Sequence, residues 1–409
     1  FFSGILGVLR GYFQAHGTMV PTSFSQILEQ ILNAVVSILA AFLLMRMVAG
    51  QDDTTLAIYG ASGSAIGTGA GVLVALLFML FVLALNRRAL AKQERRDRSG
   101  ELLETGEVYR IIITMVTPII LSTFIYNCNS SLNLTIYTRI MEYVKGMSEA
   151  DAYTRYGLFS GKAKQISNIP IALASAMSTA VIPGVSGSFA RKDIRETNRK
   201  IAAAVRTTML LSIPSAVGLA VLAKPVVLLL YPQKESVDMV SRLLAGLSIS
   251  VVFYAVSTIS NGVLQGIGKV NLPVINAAVA LVAQTAALVL LLLFTDMGLY
   301  SLVIATVLYS FLMCILNGIS VKKELGYRQE VVKTFCIPFW ASVIMGGAAF
   351  GVYHGLYRLL SVNVVCLAAA LLVAVVLYFI LVIKMGAVGA RDLMALPKGA
   401  FFVRMARRC

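Results

Sequence analysis

Histidine is almost missing from this chain: His16 and His354 are its only two copies. Two imidazoles so far apart leave no material for a histidine-based metal cluster or a nucleophile–histidine–carboxylate triad. Cysteine is scarce too. Of Cys128, Cys314, Cys336, Cys366 and Cys409, four sit in apolar runs and no two show CxxC spacing, which argues against a zinc site or a disulfide framework. Charge is the largest shortage. Asp, Glu, Lys and Arg make up 13% of the 409 residues, against about a quarter in soluble domains. That shortage excludes an ordinary soluble enzyme and a disordered chain.

What fills the chain instead is apolar: 58% of its residues, with a mean hydropathy of +0.83. About 20 apolar residues cross a bilayer as a helix. Ten stretches meet that requirement, at 22–45, 56–85, 108–138, 165–188, 201–223, 239–264, 272–294, 299–320, 334–357 and 362–384. Residues 1–14 read as the tail of an eleventh. Lipid tolerates no unpaired backbone, so spans are helices or closed barrels, and continuous runs without strict alternation exclude the barrel. The fold class expected is all-α integral membrane.

The 35 Lys and Arg against 19 Asp and Glu leave a net charge of +16. In a soluble protein such an excess suggests nucleic acid; in a membrane protein it marks cytoplasmic loops, so no nucleic-acid partner is expected. Alternating the ten spans places 25 of the 35 basic residues on one side, which the positive-inside rule assigns to the cytoplasm. The segment at 86–110, NRRALAKQERRDRSGELLETGEVYR, is the strongest basic loop and reads as a linker between two membrane halves.

An internal repeat supports that division. In RGYFQAHGTMVPTSFSQ at 10–26, Gly11, Gln14 and Gly17 match Gly262, Gln265 and Gly268 of NGVLQGIGKVNLPVINA at 261–277, and Pro21 matches Pro273 after a one-residue shift. Six spans lie between the copies. An even number implies a parallel repeat with its axis along the membrane normal, a transporter design with two halves around a cavity. The expected organisation is therefore 1–85, the remnant of an N-terminal lobe; 86–107, a cytoplasmic linker; 108–320, a complete six-helix lobe; and 321–409, two additional spans with a basic tail. Residue 1 falls inside an apolar run, so the chain reads as truncated at its N-terminus, with ten full spans retained.

RGYFQAHGTMVPTSFSQILEQ resembles the turn between the fourth and fifth helices of the polysaccharide-transporter, stage V sporulation protein B-like branch of the multidrug/oligosaccharidyl-lipid/polysaccharide exporter superfamily. The segment YGLFSGKAKQISNIPIALASAMSTAVIPGVS at 156–186 is similar to the same branch, with Gly157, Gly161, Lys162, Pro170, Ala174, Pro183 and Ser186 in its pattern. The resemblance covers essentially the whole chain. It implies fourteen helices, the last two outside the repeat, and a flippase in a bacterial cell membrane.

Polar residues at membrane depth are the candidate site. Glu29, with Gln26 and Gln30 on one helix face near the cytoplasmic end of its span, reads either as a gate or cavity residue or as an interfacial carboxylate reaching headgroup water. Asn127, Asn129 and Asn133, with Ser130 and Ser131, crowd span 108–138 and are expected to face the protein interior, since amides lack partners in lipid. Arg139 closes that span on the outside. Lys162 and Lys164 precede span 165–188; the resemblance implies a cavity-facing cation there, and Lys164 is the nearest match. The resemblance also implies a carboxylate near Asn133, which this chain lacks. Pro118, Pro170, Pro183 and Pro214 are expected to kink cavity-lining helices, and Gly63, Gly67 and Gly71 to pack helix against helix.

The expected activity is the flipping of a lipid-linked oligosaccharide or peptidoglycan precursor by alternating access. The partners are that lipid and the surrounding membrane; no cofactor and no metal is needed, and the protein is read as a monomer and not an enzyme. Two alternatives are a multidrug/cation antiporter of the same superfamily, for which Glu29 is the one intramembrane carboxylate in the retained spans, and a membrane-embedded polysaccharide ligase or polymerase, which would need a large outer loop with catalytic groups. The longest outer segment, 139–164, has Glu142, Glu149 and Asp151 but no histidine.

Overall fold

The computed structural model describes residues 2–15, 18, 20–94, 104–231 and 234–386. His16 and Gly17, the linker at 95–103 and the tail from 387, with Arg391, Lys398, Arg404, Arg407, Arg408 and Cys409, lie outside the described residues. All regular structure among the described residues is helical. The helices are α1 (Phe2–Ala15), α2 (Val20–Met47), α3 (Asp53–Glu94), α4 (Thr105–Tyr143), α5 (Glu149–Gly157), α6 (Lys164–Ala190), α7 (Ile194–Val221), α8 (Ala223–Leu230), α9 (Lys234–Gly266), α10 (Asn271–Phe294), α11 (Leu299–Leu325), α12 (Ile337–Leu360) and α13 (Asn363–Lys384). Two π-helical segments interrupt them: Leu158–Ala163 joins α5 to α6, and Val332–Cys336 leads into α12.

Nine helical segments among the described residues are long and apolar enough to cross a membrane, and they coincide with nine of the ten expected stretches. The tenth, 108–138, is helical throughout as part of α4, a single helix of 39 residues; it is not among those nine, and several of its side chains lie outside the described set. Pro170 and Pro183 lie inside α6 and Pro214 inside α7, and all three are accommodated without breaking the helix.

The expected outer loop at 139–164 is largely helical instead. Only residues 144–148 separate α4 from α5, and the helix then runs on through the π-segment to Ala190. The Ser148 side chain accepts the Asp151 N–H, and Ser148 Oγ donates to Asp151 Oδ2 at 2.7 Å, so this cap starts the helix well before the apolar run begins.

The chain divides into two compact units, Phe1–Glu104 and Thr105–Cys409. In the first, α2 and α3 pack at very close range. A Cβ built on Gly67 would fall 2.5 Å from Ser37 N, and one on Gly63 would fall 2.3 Å from Ala41 N. Gly71 similarly faces the Glu29 carbonyl at 2.7 Å. The four-residue glycine spacing therefore lets the two backbones approach where any side chain would hold them apart.

The second unit is built around α9. Its Leu243, Leu244 and Leu247 are fully buried against Tyr137 of α4, Phe159 and Leu302. Further along, Ile259, Val263 and Leu264 pack against Ile201, Val205 and Met209 of α7. A third cluster joins α12 to α13 through Met345, Tyr353, Cys366 and Tyr378. The repeated turn motif falls where a helix ends and the next begins in both copies: between α1 and α2, and between α9 and α10. Pro21 and Pro273 lie in the first turn of the second helix, where no backbone donor is lost. Gly268 has φ +78°, a left-handed conformation that glycine adopts without strain.

Candidate functional site

The polar residues of α4 separate onto two faces. Asn129 and Asn133 turn inward and are buried. Asn133 Nδ2 donates to Asn129 Oδ1 at 3.1 Å, and Gln284 Nε2 of α10 donates to Asn133 Oδ1 at 2.6 Å. This amide relay ties α4 to α10. Gln284 was not singled out from the sequence; it is the lone amide in a strongly apolar helix between Asn276 and Phe294, which is the signal that marks it.

Asn127, Ser130 and Ser131 are exposed on the surface of this unit. Asn127 Nδ2 donates to the Thr123 carbonyl one turn back at 2.9 Å. Half-buried Lys164 meets this face: its Nζ donates to Ser130 Oγ at 3.3 Å. Lys162 turns elsewhere. Its Nζ donates to Ser236 Oγ at 3.1 Å and stands 5.3 Å from the centroid of the Tyr231 ring, over its face. Residues two positions apart stand about 200° apart on a helix, so the two lysines take different partners; Lys162 lies in the π-helical segment and Lys164 opens α6.

Beyond Lys164, the polar residues of α6 share its face. Asn168, Ser175 and Thr179 follow at i+4, i+11 and i+15, within about 60° of Lys164 on a helical wheel, and Ser175 and Thr179 are exposed. That stripe was missed because its members are far apart in sequence, though its helical period was available. Arg139 lies on α4 about two turns outward from Ser131, exposed, with Nη1 donating to Tyr143 Oη at 2.9 Å and Glu142 3.8 Å away.

Glu29 belongs to the other unit and is ion-paired. Arg10 Nη2 donates to Glu29 Oε2 at 2.6 Å, and Arg10 Nε donates to Ser25 Oγ at 2.9 Å. Both side chains are about four-fifths buried, with 17% and 20% of their surface exposed. Arg10 lies on α1, 19 positions from Glu29, a separation that no local spacing marks.

A cavity of about 1340 Å³ in the second unit runs between α6, α7, α12 and α13. Its lining is overwhelmingly apolar, including Pro170, Leu211, Met345, Val375 and Phe379, with Arg199 and Arg206 at one end. The α7 lining extends from Arg199 to Leu222, about 35 Å along a helix axis and close to the hydrocarbon thickness of a bilayer. Arg206 is ion-paired to Glu330; among the described residues, Arg199 enters no ion pair. Among the described residues, no group of three His, Cys, Asp or Glu side chains is placed to hold a metal.

A family model of the Lipid II flippase MurJ matches residues 1–371. The chain belongs to this family. The MurJ family is one of transporters and not of enzymes, and with its membrane-length apolar helices the chain is a multi-pass membrane protein. Two curated relatives are from Bacillus subtilis (strain 168). The chain is 24% identical to a Lipid II flippase MurJ over 359 residues, 84% of this chain and 62% of the relative. It is 22% identical to Stage V sporulation protein B over 342 residues, 84% of this chain and 63% of that one. The chain thus spans under two thirds of the length of these relatives. Among solved structures, a Lipid II flippase MurJ in an inward closed conformation matches with a TM-score of 0.62 and 16% identity, over 96% of this chain and 72% of that one. A MATE protein in a straight conformation matches with a TM-score of 0.55 and 16% identity, over 79% and 65%. Both likenesses concern the fold.

Proposed function

We propose that this MurJ-family chain is part of a flippase that moves a lipid-linked oligosaccharide or peptidoglycan precursor across a bacterial cell membrane. The observation that carries the reading is the pairing of two surfaces in the second unit. One is an apolar groove of membrane length with arginine at one end; the other is a polar, cationic stripe formed by Asn127, Ser130, Lys164, Ser175 and Thr179. An amphiphile with a pyrophosphate head needs both. Cationic donors offset part of the cost of desolvating the head, while the tail stays against apolar side chains. Lys164 and Arg139 serve the head in this reading. Asn129 and Asn133 position α4. Glu29 holds the first unit together with Arg10, and Lys162 anchors the start of α6.

An antiporter requires a membrane carboxylate free to exchange a cation. Glu29 is committed to Arg10, which supports the flippase over that alternative. The test is lipid translocation by the full-length protein in liposomes, read with a fluorescent lipid-linked sugar. Lys164→Ala and Arg139→Ala slow translocation, whereas Lys323→Ala does not. Equal rates for all three reject the charged-stripe assignment.

A further inference from the structure

A second pocket, of about 390 Å³, lies within the second unit, away from the groove and the α6 stripe. Its walls are Ile201 and Val205 of α7, Val256, Ile259 and Val263 of α9, and Val321 of α11. Its mouth carries Lys322, Tyr327, Arg328 and Gln329, from the end of α11 and the segment that follows. Lys322 and Arg328 are exposed and enter no ion pair among the described residues. Tyr327 and Gln329 are half-buried beside them.

Two cations beside an apolar pocket call for an anion. The nearby carboxylates do not supply one. Glu324 is held by Lys269 at 3.1 Å, and Glu330 by Arg206, with Lys333 at 3.6 Å. Ser260 at the pocket wall already donates to the Val256 carbonyl at 2.9 Å. The tail from 387 is rich in arginine and would add positive charge rather than cancel it.

We infer that this pocket binds the phosphate of an anionic phospholipid, with Lys322 and Arg328 at the head and the start of an acyl chain along Val205, Ile259 and Val263. A free phosphate would meet the two cations but leave the apolar walls unused. A zwitterionic lipid would place its own cation beside Lys322 and Arg328. The side of the membrane agrees: these residues fall on the basic side, the cytoplasmic one by the positive-inside rule, and basic pockets between spans there suit anionic headgroups. The inference concerns a lipid held by the protein and goes beyond the transported substrate.

The test is native mass spectrometry of the full chain, titrated with phosphatidylglycerol or phosphatidylcholine. The wild type should retain one phosphatidylglycerol in preference to phosphatidylcholine. Each cation removed should weaken retention about fivefold, so Lys322→Ala with Arg328→Ala should weaken it about twenty-five-fold. Lys323→Ala, which removes an equal charge beside the pocket, should leave retention unchanged. Gly318→Phe supplies a variant that keeps every charge. Gly318 lines the pocket and has open space around its Cβ position, so the ring fills the cavity without disturbing the helix; it should abolish retention. Equal retention of both lipids by the wild type, or phosphatidylglycerol retention unchanged in both the double variant and Gly318→Phe, would overturn the inference. Displacement of the lipid by millimolar inorganic phosphate would overturn its assignment to a lipid.

Discussion

At the scale of single residues, the structure replaces isolated polar side chains with bonded sets. Asn133, read from the sequence as one of several amides, is the acceptor for Gln284 and a donor to Asn129. Replacing Asn133 alone strands both the buried Gln284 amide and the Asn129 oxygen, whereas replacing Asn133 and Gln284 together leaves only Asn129 without its partner. The Asn133→Leu, Gln284→Leu double variant should therefore cost less than the sum of the two single variants. The double-mutant cycle should show a coupling of about 1 kcal/mol, measured by denaturant unfolding in detergent; additive effects would reject the relay. Asp296, in the turn between α10 and α11, accepts a hydrogen bond from Lys145 Nζ at 2.7 Å. That bond, and then the lysine charge, hold its carboxyl below the usual carboxylate value. A lowered folded pKa means that the contribution to stability is present above the unfolded pKa, near 4, and is lost as pH falls through the folded value. The melting temperatures of wild type and Asp296→Asn should differ at pH 6 and converge towards pH 3; a constant difference would rule the pair out.

Elements are where composition and geometry meet most directly. The glycines of α3 stand against α2 at distances no Cβ can occupy. Gly67→Leu must push α2 and α3 apart, and overpacking of this kind costs about 1–3 kcal/mol or more. Gly69, on another face of the same helix, has nothing within 4 Å of its Cβ position. Gly69→Ala should leave the thermal melt of the protein unchanged or slightly raised, while Gly67→Leu lowers it clearly; equal melts would contradict the packing. The π-helical segment before α6 has no counterpart in hydropathy. Its residues, LFSGKA, read as ordinary loop-to-helix sequence, and only the backbone shows that Lys162 lies in a π-turn while Lys164 opens α6.

For the whole molecule, membrane crossing follows from composition and orientation from charge. Reporter fusions after residues 52, 150, 234, 297 and 360 should read outside, and fusions after 97, 193, 269, 326 and 400 inside. The expected outside positions at 52 and 297 fall in the turns between α2 and α3 and between α10 and α11, and position 360 ends α12, as alternation demands. Two or more reversals would break the arrangement.

Hydrophobic runs as long as a bilayer is thick admit one backbone solution, so the sequence by itself determined that the chain is helical and where nearly every span lies. The same local information placed the helix-turn-helix motif of the repeat, because glycine and proline act on their own neighbourhood. Only the tertiary structure decided which polar groups pair. Glu29 finds Arg10 across 19 positions, Asn133 finds Gln284 across 151, and Arg206 finds Glu330 across 124. No local pattern encodes such partners. They are chosen by which helix faces come together, and that follows from the packing of all the helices within each unit.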